Sequence, residues 1–252
     1  MSDVSDAGRH DDGLPDLDTI AERRAALIQR IAAAGGNPDE IEIVAVTKRF
    51  PPRAVELAVA SGFTDIGENY AQELIEKTDL VFLDRVDRDR DDLERQQTVA
   101  PTWHMIGGLQ RNKVKKLAAV VPRRSVGRLV LQTLDRLDLV LEVEKRLPGA
   151  TVFVQVNTTD EAQKSGCAAG DVPQLVDAAR AAGLDVAGLM TIGPTDGSDP
   201  TPAFELLRRL VDEHGLAGAS MGMSADIEAA VAAGSTMIRV GSALFGPRPT
   251  NI

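Results

Sequence analysis

Two patterns alternate along most of the chain. Short apolar runs, rich in β-branched residues, are each followed by a longer stretch whose apolar positions recur every three or four residues. The short runs are Ile41–Val46, Phe63–Ile66, Thr102–Ile106, Arg128–Gln132, Val152–Val156, Val186–Met190, Gly218–Met221 and Met237–Val240. Helical patterning covers Arg53–Ser61, a stretch through Glu73 and Lys77, and then Asn112–Val120, Leu137–Leu147, Val172–Ala182, Phe204–Glu213 and Asp226–Ala233. One more helix is expected ahead of the first strand, over Leu17–Ala34. Ile20, Leu27 and Ile31 share a face there, and Gly35-Gly36 ends the run. Strands alternating with helices read as consecutive parallel βαβ units. Strands that are apolar on both sides fit a sheet covered on both faces. Eight such units close naturally into a (β/α)8 barrel, which takes about 250 residues. The expectation is therefore an α/β fold, a single (β/α)8 TIM barrel over residues 16–252 with an extra N-terminal helix. An open doubly wound sheet is the structural rival.

Composition refines this picture at a few points. Of the 252 residues, 43% are hydrophobic but only 3% aromatic, so the core is built from aliphatic side chains. A formal charge of −10 argues against nucleic acid or an anionic membrane as a general partner, though not against a small anion in a locally basic pocket. Residues 1–15 are rich in Asp, Gly and Ser and read as a disordered acidic tail. Asp84–Arg95 is almost wholly charged with alternating sign, the pattern of a solvated insertion or helix extension on the barrel exterior. Cys167 stands alone, which excludes an internal disulfide and suits a reducing cytoplasm. The three histidines, His10, His104 and His214, are scattered, so no metal site is expected. Neither a signal peptide nor a membrane-length apolar run is present.

Barrel enzymes place reactive groups in the loops that follow the strands. After the first strand stands Lys48. A lysine there is either a solvated cap or an amine partly desolvated at the barrel mouth, where loss of hydration favours the neutral nucleophile. After the second strand come Glu68 and Asn69, two polar side chains expected at the mouth. His104, within the third strand, reads as a satisfied structural histidine. The seventh and eighth strands run into Ser224 and into Gly241-Ser242, small residues whose backbone and hydroxyl donors suit a phosphate at a position where barrels often bind one. A phosphate site opposed to a lysine suggests a phosphorylated carbonyl compound. Pyridoxal 5′-phosphate (PLP) carries both groups, and Arg239 could then meet its pyridine nitrogen. A sugar phosphate held by an aldolase-type lysine remains open on these residues.

Six ordered motifs are more specific than any of these pieces. They are Val44-Ala45-Val46-Thr47-Lys48, Gly67-Glu68-Asn69-Tyr70, Trp103-His104-Met105-Ile106-Gly107, Leu109-Gln110-Arg111-Asn112-Lys113, Ser220-Met221-Gly222-Met223-Ser224 and Arg239-Val240-Gly241. Together, from about Leu17 to Arg248, the chain resembles the pyridoxal phosphate homeostasis protein family. The resemblance implies an alanine racemase N-terminal-domain-like barrel with PLP as a Schiff base on Lys48. It places Arg239 at the pyridine nitrogen and has Ser224, Gly241 and Ser242 hold the phosphate. Asn69 and Asn157 are expected to line the same pocket. Two departures stand out: Gly108 replaces the histidine usual in the family, and the stretches Asp84–Thr98 and Arg123–Leu131 are longer than the family pattern. Thr47 in place of a serine is a mild change.

The resemblance implies a cytoplasmic, monomeric protein of PLP homeostasis, one that stores the cofactor or delivers it to PLP-dependent apo-enzymes. The alternative is a PLP-dependent enzyme such as an amino-acid racemase, which needs a proton donor on each face of the cofactor. The racemases that this barrel resembles take the second base, a tyrosine, from another domain. The sequence ends at Ile252, just past the last strand, and its only tyrosine, Tyr70, follows the second strand. The expectation is a carrier with no catalytic residues.

Overall fold

A computed structural model describes residues 13–87, 100–122 and 126–247, with side chains described for all of these except 81–87. Eight parallel strands form a closed barrel in chain order. They are β1 (Glu42–Val46), β2 (Asp65–Glu68), β3 (Thr102–Met105), β4 (Arg128–Leu134), β5 (Thr151–Gln155), β6 (Asp185–Met190), β7 (Gly218–Ser220) and β8 (Met237–Val240). Closure is made by β8 against β1, with Ile43 opposite Ile238 and Val44 opposite Arg239, and this excludes the open sheet. The helices are α1 (Leu17–Ala33) ahead of the barrel, then α2 (Arg53–Ala60), α3 (Ala71–Asp87), α4 (Arg111–Ala118), α5 (Leu137–Arg146), α6 (Val172–Ala181), α7 (Thr201–Glu213) and α8 (Ile227–Ala232). A short α9 (Ser242–Phe245), absent from the sequence expectation, follows β8.

Local chemistry accounts for most boundaries. The Asp16 carboxylate accepts the Thr19 N–H at 2.8 Å and so caps α1. β4 continues two residues beyond the expected Gln132, because an irregularity lets Leu134 pair with Val154 after Leu131 has paired with Val152. Of the stretch 1–15 expected as a tail, residues 1–12 lie outside the described part, while Leu14 is fully buried. The charged run Asp84–Arg95 enters α3, and everything after Asp87 in it lies outside the described residues.

Side-chain alternation splits the strands into two layers. Outward residues such as Ala45, Ile66, Trp103, Leu131 and Val154 pack against the helices in one large cluster. Inward apolar residues are few: Val44, Val130, Phe153, Met190 and Met237 form a small separate cluster. Polar side chains take other buried barrel positions, namely His104, Gln132, Ser220 and Arg239. Cys167 is buried, and that burial pushes its thiol up to about 12, as suits a packing residue. Among the described residues no helix is long and apolar enough to cross a membrane, and no cluster of His, Cys, Asp and Glu could hold a metal ion.

Candidate functional site

The C-terminal ends of β1, β2, β7 and β8 surround a cavity of about 260 Å³. Lys48 and Asn69 enter it from the first two strands, and Ser224, Gly241 and Ser242 from the last two. Arg239 and the apolar side chains of Val46, Ile106 and Ile192 complete much of the lining. Six of the seven residues singled out in the sequence thus meet in one place. Asn157 is not among the lining residues. Its amide donates to the Glu161 carbonyl at 3.0 Å and accepts from Thr159, closing the loop after β5 on itself.

Lys48 is half-buried, and its Nζ stands 3.4 Å from Asn69 Oδ1. Asn69 itself depends on Gly107, where a Cβ would come within 2.0 Å of the Asn69 carbonyl oxygen. The peptide units on both sides of Lys48 are held by α3. Lys77 Nζ donates to the Thr47 carbonyl at 2.6 Å, and the Arg49 N–H donates to Glu73 Oε1 at 2.6 Å. Arg49 has φ 62°, a left-handed turn uncommon for a side-chain-bearing residue. The chain therefore turns sharply just after the lysine, and the two α3 contacts hold that turn.

Glu68 departs from the sequence expectation. It does not face the mouth, because it is the last residue of β2 and its side chain points outward, away from the inward Gly67. Fully buried against α3, it accepts from Thr47 Oγ1 at 2.5 Å and from Lys77 Nζ at 2.6 Å, while its Oε2 has no hydrogen-bond partner. Burial, with Glu73 nearby, pushes its carboxyl from an ordinary 4.5 up to about 7 against the pull of Lys77. Between those two values the folded protein keeps a proton that the unfolded chain has released. Stability from this group therefore falls as pH rises from about 4.5 to about 7. Urea unfolding across that window should show the decline, and Glu68→Gln should flatten it. An unchanged slope in the variant would assign the decline to other groups.

Inside the barrel one hydrogen-bonded chain runs down from the cavity. Arg239 Nη1 donates to Ser220 Oγ at 2.7 Å, and Ser220 Oγ donates to Gln132 Oε1 at 2.7 Å. Gln132 Nε2 lies 2.7 Å from His104 Nδ1, and His104 Nε2 lies 2.9 Å from Asp65 Oδ1. The ends set the direction. A guanidinium only donates and a carboxylate only accepts, so Nδ1 of His104 accepts and Nε2 carries the proton. Burial would raise the Asp65 carboxyl, but the hydrogen bonds from His104 and Thr64 outweigh it and hold it below its usual range. His104 is thus a satisfied structural residue, as its position in an apolar strand suggested. Arg239 is buried at the base of the cavity, and that burial lowers it to about 10, leaving it cationic at neutral pH. Its Nη2 donates to the Thr191 carbonyl at 2.7 Å, also a neutral acceptor.

Asp65, Gln132, Ser220, Thr191 and the Lys77–Glu73 pair carry this arrangement without having been singled out as site residues. Gln132 carried a signal, as an amide after three apolar strand residues. Lys77 carried none, since a Glu and a Lys four apart on a helix read as an exposed pair. Lys164, in the loop after β5, is held by Glu161 at 2.5 Å and by the Gly193 carbonyl at 2.6 Å, and it does not line the cavity.

The family model for the alanine racemase N-terminal domain matches residues 16–249. The pyridoxal phosphate homeostasis protein of Pseudomonas aeruginosa is 37% identical over 246 residues, covering 92% of this chain and 97% of the relative. Among solved structures, an unknown protein from Bifidobacterium adolescentis superposes with a TM-score of 0.77 at 27% identity, covering 97% of this chain and all of the other. PipY of Synechococcus elongatus, with PLP bound, superposes with a TM-score of 0.65 at 27% identity, covering 90% of this chain and all of that one.

Proposed function

Because the chain belongs to the pyridoxal phosphate homeostasis protein family, we infer that it binds PLP through Lys48 and stores or delivers the cofactor, without catalytic turnover of its own. The observation that carries this reading is the convergence, in one cavity, of an amine, a buried guanidinium and a pair of small-residue loops. PLP supplies an aldehyde for the amine and a phosphate for the loops. The residues present suit such a ligand. At Gly241 a Cβ would stand 3.2 Å from the Val46 carbonyl oxygen, so the glycine keeps this backbone open and close-packed. Ser224 and Ser242 offer hydroxyl donors beside it.

Arg239 lends a positive charge whose hydrogen-bond partners Ser220 and Thr191 are neutral, although the Asp226 carboxylate acts on it from nearby, and it would keep a facing ring nitrogen free of a proton. That weakens the ring as an electron sink. Asn69 orients the Lys48 amine, and Val46, Ile106 and Ile192 keep water from part of the cavity. A racemase needs a second proton donor opposite the lysine. Tyr70 is about half exposed and lines a neighbouring cavity with Gln110 and Lys113, away from Arg239. These placements favour a carrier, and we propose that it acts as a monomer in the cytoplasm and hands PLP to apo-enzymes.

The test mixes PLP-loaded protein with a PLP-requiring apo-enzyme and, separately, with single enantiomers of several amino acids. Recovery of the apo-enzyme's activity, with no enantiomer converted beyond one equivalent, is the expected result. Sustained conversion would establish an enzyme instead.

A further inference from the structure

Eight βα units suffice to close the barrel, so α1 is an addition to it, and its arginines reach the anion-binding side of the cavity. Arg30 Nη1 and Nη2 donate to the Ser224 carbonyl at 3.2 and 3.3 Å. The same guanidinium is clamped by Glu228 of α8, with Nε to Oε1 at 2.6 Å and Nη2 to Oε2 at 2.8 Å. About two turns earlier, Arg23 Nη1 donates to the Leu244 carbonyl at 2.5 Å. Ser224 lies in the loop after β7, and Leu244 lies in the short α9 that begins at Ser242, just after Gly241. These two segments are themselves joined by the Ala243 N–H, which donates to Ser224 Oγ at 3.2 Å.

We propose that Arg23 and Arg30 are positioning residues for the phosphate group: from outside the cavity they hold the loops after β7 and β8 so that their donors converge on it. The proposal rests on the PLP reading given above. Magnitudes separate it from a plain stabilising role. The Arg30–Glu228 pair is well exposed, with side-chain exposures of 35% and 53%, and such surface pairs contribute little to global stability. Beyond that pair, Arg30 ties down the Ser224 carbonyl. Losing that tie loosens the loop without opening the core, since the apolar anchors of α1, Ile20, Leu27 and Ile31, stay in place.

The experiment compares affinity for PLP with affinity for pyridoxal, which has the same aldehyde and ring but no phosphate, in wild type, Arg30→Met, Arg23→Met and Glu228→Gln. Losing a hydrogen-bonded brace of about 1 kcal/mol corresponds to about five- to tenfold in affinity. Arg30→Met and Arg23→Met should weaken PLP by that much and leave pyridoxal within about twofold, with apo-protein Tm nearly unchanged. Glu228→Gln, which keeps Arg30 but loosens its clamp, should give a smaller loss with the same selectivity. Arg30→Lys can reach one of the two acceptors and should recover part of it. Equal losses for both ligands, or none for either, would overturn the proposal while leaving the PLP reading intact. A wild-type protein that binds pyridoxal as tightly as PLP, or binds neither, would overturn both.

Discussion

Lys48→Ala is expected to abolish the imine absorbance of the PLP-loaded protein completely, while the apo-protein unfolds almost as wild type does. The reason for the first effect is that Lys48 supplies the one amine among the residues lining the cavity. Without it the aldehyde has no nucleophile there, although Arg239, Ser224 and Ser242 can still hold ring and phosphate. The second effect follows from placement. Lys48 is half-buried, and the turn around it is held by Lys77 and Glu73 through backbone atoms that alanine retains. A substitution of that kind changes stability by about 0.5 kcal/mol. Absorbance titration with PLP gives the first reading and urea unfolding the second. Borohydride reduction then distinguishes a lost attachment from a displaced one, because wild type should become permanently labelled at Lys48 and the variant not at all. A band that persists in the variant, with label on Lys113 or Lys164, would move the attachment elsewhere.

Lys77→Met is expected to be among the most damaging single changes, costing about 3–5 kcal/mol, because it leaves a buried carboxylate without its cation. Lys77 and Glu68 have side-chain exposures of 3% and 0%, and the lysine also serves Glu73 and the Thr47 carbonyl. The loss should depend on pH. Burial already raises Glu68 to about 7, and removing Lys77 takes away the charge that opposes that rise. Below that value the variant escapes part of the penalty by keeping Glu68 protonated; above it the full cost is felt. Urea unfolding at pH 5 and pH 8 should therefore show a larger deficit at pH 8. Removing both partners, as in Lys77→Met with Glu68→Leu, should restore much of the loss. A single variant within 1 kcal/mol of wild type at pH 8 would mean that the pair is not charged in the folded state.

These two lysines also mark how much of the molecule is legible before folding. Lys48 follows an apolar run that ends in Val46, and its place at the barrel mouth comes from strand polarity alone. The loops of Ser224 and Gly241-Ser242 are equally local, and so the lining of the cavity could be read from order and spacing. Asn157 shows the limit of that rule. It also follows a strand, yet its side chain closes a turn with Thr159 and Glu161, a competition that position along the chain does not reveal.

The sequence by itself determined the eight βα units and the identity of the residues at the strand ends, because each unit's pattern is local. Their number favoured closure, and the pairing of β8 with β1 decided it against the open sheet. Tertiary structure decided which way the residues near a strand boundary face. The sequence pattern ended the second strand at Ile66, whereas pairing of Glu68 with Met105 carries it two residues further and turns the Glu68 side chain out to Lys77. In a strand covered on both faces, apolar alternation cannot tell inside from outside. The chain from Arg239 through Ser220, Gln132 and His104 to Asp65 came into view only once closure brought β2, β3, β4, β7 and β8 around one axis. The hold of α1 on the loops after β7 and β8 is likewise a contact between residues some two hundred positions apart, for which no local pattern exists.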